Sequence, residues 1–319
     1  MTPVIVPLFG IVLLGYVFAR LGIFSNKVGE GLTRFMFYLA IPAMLFQSIS
    51  TTDLPKDIPW MFIFAFYIPS FIVFLTAMFM SGLFFRWQRH EQGIAGVCSA
   101  YSNMVLLGLP LLLAAFGERA TLPLFILLAP QSLLLFPATI IAVEVFGKHS
   151  VQNNDAALNA KRPLVDRKFA TIKNLFLNPI IISLGLGVGA NLGDWHVPDS
   201  ISEALQMTGK AAPACALTAL GVSLAQYKFQ RLEIDSLAMA LLKNLLHPAL
   251  VFLACGILGI PPFWTHVAVF LAAMPCGINA FIFASNYDIR TKNITQSIVI
   301  STVISVATAS FLLSVFAQH

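Results

Sequence analysis

Charged residues are scarce in this sequence: they make up 10% of its 319 residues, whereas 58% are hydrophobic and the mean hydropathy is +0.84. Such a chain has too little polar surface to cover a water-soluble globule of its size. The continuous polar–apolar alternation of a membrane β-barrel is also missing. The sequence therefore predicts an all-α integral membrane protein.

Several functional groups are missing as well. The four cysteines, which have no spacing typical of a metal site or a disulfide framework, are expected to be small packing residues. Isolated Ser and His residues occur without a paired base or a His/Asp/Glu metal set, so an intramembrane enzyme is not supported. We expect no cofactor and no metal. The basic residues lie in loops rather than on one soluble face, which argues against nucleic acid as a partner.

Apolar runs of roughly 18 to 25 residues, each long enough to cross a bilayer, recur along the chain. Met1–Pro3 lacks the basic region and cleavage site of a signal peptide, so the first run is kept as a helix. We predict ten spans at residues 3–19, 31–50, 58–85, 93–116, 121–146, 172–191, 201–226, 236–258, 262–286 and 294–316. A polar linker at 148–171 separates a first half, 1–147, from a second, 172–319.

Loop charges predict the orientation. The loops after the odd-numbered spans hold 15 of the 19 Lys and Arg residues, while the opposite side has Lys56 and Arg119. Both termini are therefore expected on the non-cytoplasmic side. Because each half has five spans, the second half starts on the opposite side from the first, which predicts two inverted five-helix repeats. Pro42 of the second span and Pro213 of the seventh are corresponding positions in these repeats.

The fourth and ninth spans carry the main functional signal. The fourth contains Asn103, Gly108 and Pro110 at mid-span, and the ninth contains the three residues Pro275, Gly277 and Asn279 at the same depth. Proline removes a helical hydrogen bond and glycine permits irregular dihedral angles, so both helices are expected to break there.

Two matching breaks would place four half-helix ends near the membrane centre, where N-terminal ends attract anions and C-terminal ends favour cations. The amides of Asn103 and Asn279 can donate to a carboxylate or cap exposed backbone. The alternative is that these Gly and Pro residues merely kink the helices. Since the break recurs in both halves, each time with an Asn, we favour a binding site.

The segments "SNMVLLGLPLL" and "MPCGINAFIFASNYDI" resemble the two crossover helices of the auxin efflux carrier family. In that family an Asn is followed by Gly five and Pro seven residues later, as in Asn103, Gly108 and Pro110. A Pro-x-Gly before an aromatic stretch is matched by Pro275 and Gly277. The resemblance extends over all ten spans. The short central loop is similar to that of bacterial members, and Asn279 departs from the plant pattern.

This resemblance implies a homodimeric scaffold of helices 1, 2, 6 and 7, with contacts through helices 2 and 7, and a mobile transport domain of helices 3–5 and 8–10. It also implies elevator-type alternating access, organic-anion substrates such as auxin or dicarboxylates, and a place in the bacterial inner membrane.

Two lysines lie within predicted spans. Lys210, near the middle of the seventh, could snorkel, bond to carbonyls of the broken helices, or attract an anionic substrate. Lys243, in the eighth, could serve structure or gating, contact substrate, or snorkel. His247 could carry a proton, although a lone helix His is more often a packed residue.

The sequence thus favours a secondary carrier of small organic anions, with a non-transporting membrane sensor on the same scaffold as the alternative. Of the carboxylates, only Glu144 lies near a span interior, so a proton relay or an all-carboxylate cation site is poorly supported. We expect either uniport or coupling through the substrate's own protonation.

Overall fold

The computed structural model describes residues 2–51, 59–146, 179–195, 197–226 and 232–316, and apart from one isolated β-bridge its regular structure there is helical. The helices are α1 (Thr2–Arg20), α2 (Asn26–Thr51), α3 (Trp60–Leu83), α4a (Arg89–Ala100), α4b (Leu109–Phe116), α5 (Thr121–Phe146), α6 (Pro179–Leu192), α7a (Asp199–Lys210), α7b (Ala212–Ala225), α8 (Ile234–Ile257), α9a (Pro262–Ala272), α9b (Asn279–Asn286) and α10 (Thr291–Phe316).

Five of these helices, α2, α3, α5, α8 and α10, are long and apolar enough to cross a membrane. Shorter apolar helices lie at Pro7–Arg20, Met104–Phe116, Ile182–Leu192 and Pro262–Ala272. The predicted all-α membrane protein is confirmed, whereas its ten membrane spans stay a prediction. The described helices begin and end near the predicted bounds. The largest difference among the described ends is at α2, which begins at Asn26 rather than at residue 31. The linker at 148–171 lies outside the described residues.

Prolines explain where the helices depart from regular α geometry. The described residues contain three π-helical turns, and a proline follows each by two residues: Met36–Ala40 before Pro42, Met104–Gly108 before Pro110, and Leu242–Leu246 before Pro248. A proline has no amide to donate, and its ring clashes with the carbonyl four residues back. The preceding turn widens to i→i+5 bonding, which lets the helix continue past the proline.

The chain forms two compact units. Unit 1 comprises Met1–Pro59, Val105–Phe125 and Thr171–Phe229, and unit 2 comprises Trp60–Met104, Ile126–Ala170 and Gln230–His319. Each unit takes segments from both halves of the sequence. The compact units therefore differ from the two halves that the linker separates. The repeats proposed for those halves stay a prediction.

Within unit 1, α1 and α7b approach closely through glycines. A Cβ atom added at Gly221 would lie 2.1 Å from the carbonyl oxygen of Val12, and one added at Gly15 would lie 2.6 Å from that of Thr218. Because both obstructing atoms belong to backbone, neither can swing aside. The two helices therefore depend on the absence of side chains at these positions.

We expect Gly221→Ala to destabilise the protein by about 1–3 kcal/mol, the usual cost of overpacking a close contact. A thermal melt in detergent measures this effect. Gly10→Ala on α1 is the matched control, because a Cβ there meets no atom within 4 Å. An equal melting temperature for the two variants would show that α1 and α7b can separate without loss.

Candidate functional site

The fourth span is interrupted at Tyr101–Asn103. Helix α4a ends at Ala100, the next three residues are non-helical, and the π turn Met104–Gly108 leads into α4b. Pro110 is the second residue of α4b and comes directly after the π turn, whose wider i→i+5 bonding accommodates its missing amide. The prediction for Gly108 was wrong in its mechanism, since this glycine has ordinary helical dihedrals of φ −60° and ψ −51°.

The ninth span is interrupted between Ala272, the last residue of α9a, and Asn279, the first of α9b. Pro275 and Gly277 lie inside this break. Gly277 also has no positive φ, so irregular dihedral angles do not explain it. It is required for space: a Cβ there would lie 2.4 Å from Cδ1 of the Tyr101 ring.

The two breaks pair with each other through their backbones. Ser102 and Cys276 form an isolated antiparallel bridge, the amide of Asn103 donates to the carbonyl of Pro275 at 2.9 Å, and the amide of Gly277 donates to that of Tyr101 at 2.8 Å. Backbone groups released by breaking a helix are costly at membrane depth unless they find partners. The pairing supplies those partners, which allows both helices to break at one place.

Four of the predicted site residues, Asn103, Pro275, Gly277 and Asn279, therefore come together in unit 2. Gly108 and Pro110 belong to unit 1. Their contribution to this geometry is the π turn and restart of the fourth span after the break.

Tyr101 organises the side chains of the paired breaks. Its hydroxyl accepts a hydrogen bond from the Asn279 amide at 2.9 Å and lies 2.9 Å from Oγ of Ser132. Its ring stacks on Phe136 with centroids 5.4 Å apart. One amide proton of Asn279 is therefore used internally, whereas its second amide proton and its Oδ1 have no described partner. Asn103 is buried, with 7% of its surface exposed.

Helix α9b begins with unused donors. The backbone N–H groups of Ile278 and Asn279 donate to no described residue, and the helix continues for eight residues. The N-terminal end of a helix carries a partial positive charge of roughly half a unit. Such an end binds anions readily.

The opposite side of the ninth break, the C-terminal end of α9a, is held by side chains from α8. Lys243 is fully buried and donates from Nζ to the carbonyl of Ala272. The neighbouring Asn244 donates to the carbonyl of Ala273 at 3.0 Å. A cation at a helix C-terminus gains up to about 2 kcal/mol, against a burial cost of several kcal/mol.

This arrangement corrects the expectations for the two lysines. Snorkelling of Lys243 is wrong, and a bond to a carbonyl at a helix break, considered for Lys210, is made by Lys243 instead. Lys210 ends α7a in unit 1 and is exposed, and its ammonium group forms no hydrogen bond with any residue in the described ranges.

His247 is a packed residue in this structure. It is fully buried, its Nδ1 lies 3.2 Å from Nζ of Lys243, and its Nε2 lies 2.9 Å from Oγ of Ser70. Ser70 in turn donates to the carbonyl of Phe66 at 2.8 Å. A chain of hydrogen bonds thus connects α3 through α8 to the end of α9a.

Sequence reasoning missed the polar residues that support the breaks. Ser301 on α10 accepts from the amide of Cys276 at 2.9 Å and donates to Oδ1 of Asn244 at 2.5 Å. Gln131 on α5 donates to the carbonyl of Ser102 at 2.9 Å. Each is a polar residue within an apolar span, which was the available signal.

Comparisons with known proteins point to membrane transport. The family described as membrane transport protein matches residues 1–313. A putative malonate transporter of Rhizobium meliloti is 29% identical over 314 residues, covering 98% of this chain and 94% of that protein. Auxin efflux carrier component 8 of Arabidopsis thaliana is 23% identical over 350 residues, covering 95% and 94%. The lysosomal cholesterol signaling protein of Mus musculus is 25% identical over 323 residues, covering 95% of this chain but 36% of that protein.

The family match extends over nearly the whole chain, and the relatives named as transporters cover both broken spans. A helical membrane protein whose apolar helices break at mid-span accords with transport rather than with catalysis. The chain therefore belongs to the membrane transport protein family, that of the auxin efflux carriers, and is a membrane transporter, not an enzyme.

Proposed function

We propose that the protein is a secondary carrier of small organic anions and that a substrate carboxylate binds at the start of α9b, beside Asn103 and Asn279. The observation that carries this proposal is the unequal state of the two helix ends at the ninth break. Lys243 and Asn244 occupy the carbonyls at the end of α9a, whereas the N–H groups of Ile278 and Asn279 have no described partner. The ligand that this break can still accept is an anion.

Two further polar atoms would serve the rest of the substrate. Ser102 Oγ and Gln131 Oε1 are buried and have no hydrogen-bond partner among the residues that the structure describes. Buried polar atoms without partners are costly in native proteins. A hydroxyl group of the substrate would bond to either atom. A second carboxyl group would accept from Ser102 Oγ, and in its protonated form it would donate to Oε1 of Gln131.

One correspondence between the two halves supports the proposed inverted repeats. Gln131 and Ser301 are each the eleventh residue of a 26-residue helix, α5 and α10 respectively. Each bonds to one member of the Ser102–Cys276 bridge. Two helices of equal length thus bond to the paired residues from the same position along the helix. This favours a pseudo-two-fold relation between the halves.

Alternating access by an elevator movement is the mechanism that we propose. Unit 2 contains both breaks and the helices α3, α4a, α8, α9a, α9b and α10, together with most of α5. It would carry the substrate while unit 1 stays fixed as the scaffold, with α2, α7a and α7b forming the contacts of a homodimer. Lys210 on unit 1 would attract anions from solution. Both termini would face the non-cytoplasmic side of a bacterial inner membrane.

Gly108 and Pro110 act through geometry in this proposal. Pro110 forces the π turn at Met104–Gly108 and thereby ends the non-helical segment one residue after Asn103. The position of the Asn103 amide then follows from where the helix resumes.

A membrane sensor is the second candidate, and one observation favours it. The mouse relative is named as a signaling protein, and this chain spans about a third of that relative's length. A sensor would bind the ligand without moving it, so binding and flux must be measured separately.

The first test measures binding. Malonate, malate and indole-3-acetate are added to the detergent-purified protein, and we expect at least one to raise its melting temperature by mass action. Asn279→Ala and Asn103→Ala should each weaken binding about tenfold or more, since a hydrogen bond to a charged group is worth about 1.5–3 kcal/mol. Gln206→Ala, an exposed amide on α7a, is the control and should bind normally.

The second test measures flux of the stabilising carboxylate into proteoliposomes under imposed proton and sodium gradients. Flux without sodium agrees with uniport or with coupling through the substrate's own protonation. A strict sodium requirement would contradict that mechanism. Binding with no flux would favour the sensor.

A further inference from the structure

Unit 2 contains a buried cation without an anionic partner. Lys243 is fully buried, and within the described ranges its hydrogen-bond partners are the carbonyl of Ala272 and Nδ1 of His247. The ion pairs resolved in the same ranges join Arg290 to Glu91 and Lys292 to Glu233, so neither involves this lysine.

The hydrogen bonds limit the charge that Lys243 and His247 hold together. Ser70 has one hydroxyl proton, which it gives to the carbonyl of Phe66, so it accepts from Nε2–H of His247. Nδ1 then faces Nζ of Lys243 at 3.2 Å, where two protonated nitrogens would repel and could not bond. Lysine and histidine together therefore hold at most one positive charge, and the bond to the carbonyl of Ala272, at the C-terminal end of α9a, favours the charged form of Lys243.

The groups described around Lys243 and His247 are thiols and hydroxyls, not carboxylates that would neutralise a positive charge. The other titratable groups that act on Lys243 are the thiols of Cys98 on α4a and Cys276 in the ninth break. Ser70 of α3 bonds to His247, and Ser301 of α10 bonds to Asn244, the residue next to Lys243; both groups are uncharged hydroxyls. The C-terminal end of α9a offsets roughly half a charge, but the N-terminal end of α9b adds roughly the same amount with opposite sign. The ninth break therefore has a net charge of about +1 when empty.

We propose that Lys243 offsets one negative charge of the substrate, so that the protein moves a monoanion as an electrically neutral complex and returns empty with one positive charge. This inference rests on the proposed carrier function and on unit 2 as the moving part. A dianion would leave the loaded complex with one negative charge.

A membrane potential then acts on different steps for different substrates. For a monoanion the loaded step is insensitive to potential, whereas the empty return moves a charge, which can shift its equilibrium by up to roughly fiftyfold per 100 mV. An inside-negative potential pulls the empty, positive unit toward the cytoplasmic side. Net movement of a monoanion is thereby biased toward export.

The experiment compares exchange with net flux in proteoliposomes at imposed potassium diffusion potentials. Labelled malonate is the dianion, and its monomethyl ester is the matched monoanion. For the wild-type protein we expect ester exchange to be independent of potential, ester net flux to change severalfold, and malonate exchange to depend on potential.

Lys243→Gln should make ester exchange depend on potential, because the loaded complex then carries one negative charge. Lys243→Arg keeps the charge and should retain the wild-type pattern. Potential-dependent ester exchange in the wild-type protein, or an unchanged pattern in Lys243→Gln, would overturn the proposal. If Lys243→Gln does not fold, the wild-type comparison of ester with malonate decides. Failure of the carrier function itself would appear differently, as binding or flux of no carboxylate at all.

Discussion

Gly277→Ala is expected to abolish carboxylate binding and transport. The added Cβ would lie 2.4 Å from Cδ1 and 3.0 Å from Cε1 of Tyr101. This ring cannot move freely, because its hydroxyl is bonded to Asn279 and contacts Ser132 while its face stacks on Phe136. Relief of the clash must therefore displace the ring or separate the two breaks.

Either displacement damages the proposed site. Moving the ring removes the hydrogen bond that orients the Asn279 amide, and separating the breaks weakens the 2.8 Å bond from the Gly277 amide to the Tyr101 carbonyl. We expect a loss of uptake of about 100-fold or more, since a misplacement of about 1 Å is enough for such an effect in a preorganised site. The folded state should lose about 1–3 kcal/mol.

Uptake into proteoliposomes and a thermal melt measure the two effects. Gly256→Ala is the matched control, because this glycine is also in unit 2, on α8, and a Cβ there meets no atom within 4 Å. That variant should transport at the wild-type rate. Near-normal uptake by Gly277→Ala would show that the position of Tyr101 does not govern the site.

Hydropathy and proline positions predicted most of this fold. The helix positions follow from apolar length, and the interruption before Asn279 follows from the backbone chemistry of Pro275. Pro110 explains the π turn before it but not the break at Tyr101–Asn103, which ends seven residues earlier. The part that glycine plays was harder to predict. Gly277 is needed for the approach of Tyr101, a long-range contact that no local pattern reveals.

The roles of the polar residues that support the breaks could not be predicted from the sequence. Asn244, Ser301 and Gln131 are each one of several polar residues on a mainly apolar helix, and the sequence does not tell which of these residues faces a break. Lys210 and Lys243 look alike in sequence, as single lysines inside apolar spans. Only packing distinguishes them, since one is exposed and the other fully buried.

Asp235→Ala should destabilise the protein by about 2–4 kcal/mol. This carboxylate, at the start of α8, is 7% exposed and accepts from Nε1 of Trp87 at 3.0 Å and from the amide of Asn293 at 2.9 Å. Removing it leaves those donors without their acceptor, at about 1–3 kcal/mol for each group that stays buried. It also removes a negative charge from the first turn of a helix, where such charge is favourable.

Glu233→Ala is the control for this prediction, because Glu233 lies two residues earlier and its carboxylate also bonds to a residue of α10 at about the same distance. Its carboxylate is 2.9 Å from Nζ of Lys292, but the two side chains are 40% and 48% exposed. Exposed pairs contribute about 0–1 kcal/mol and weaken with added salt. The melting temperature in detergent should therefore be clearly lower for Asp235→Ala than for Glu233→Ala, at low and at high salt alike. If Asp235→Ala melted together with Glu233→Ala, the buried carboxylate would not be what holds α8 to Trp87 and to Asn293 of α10.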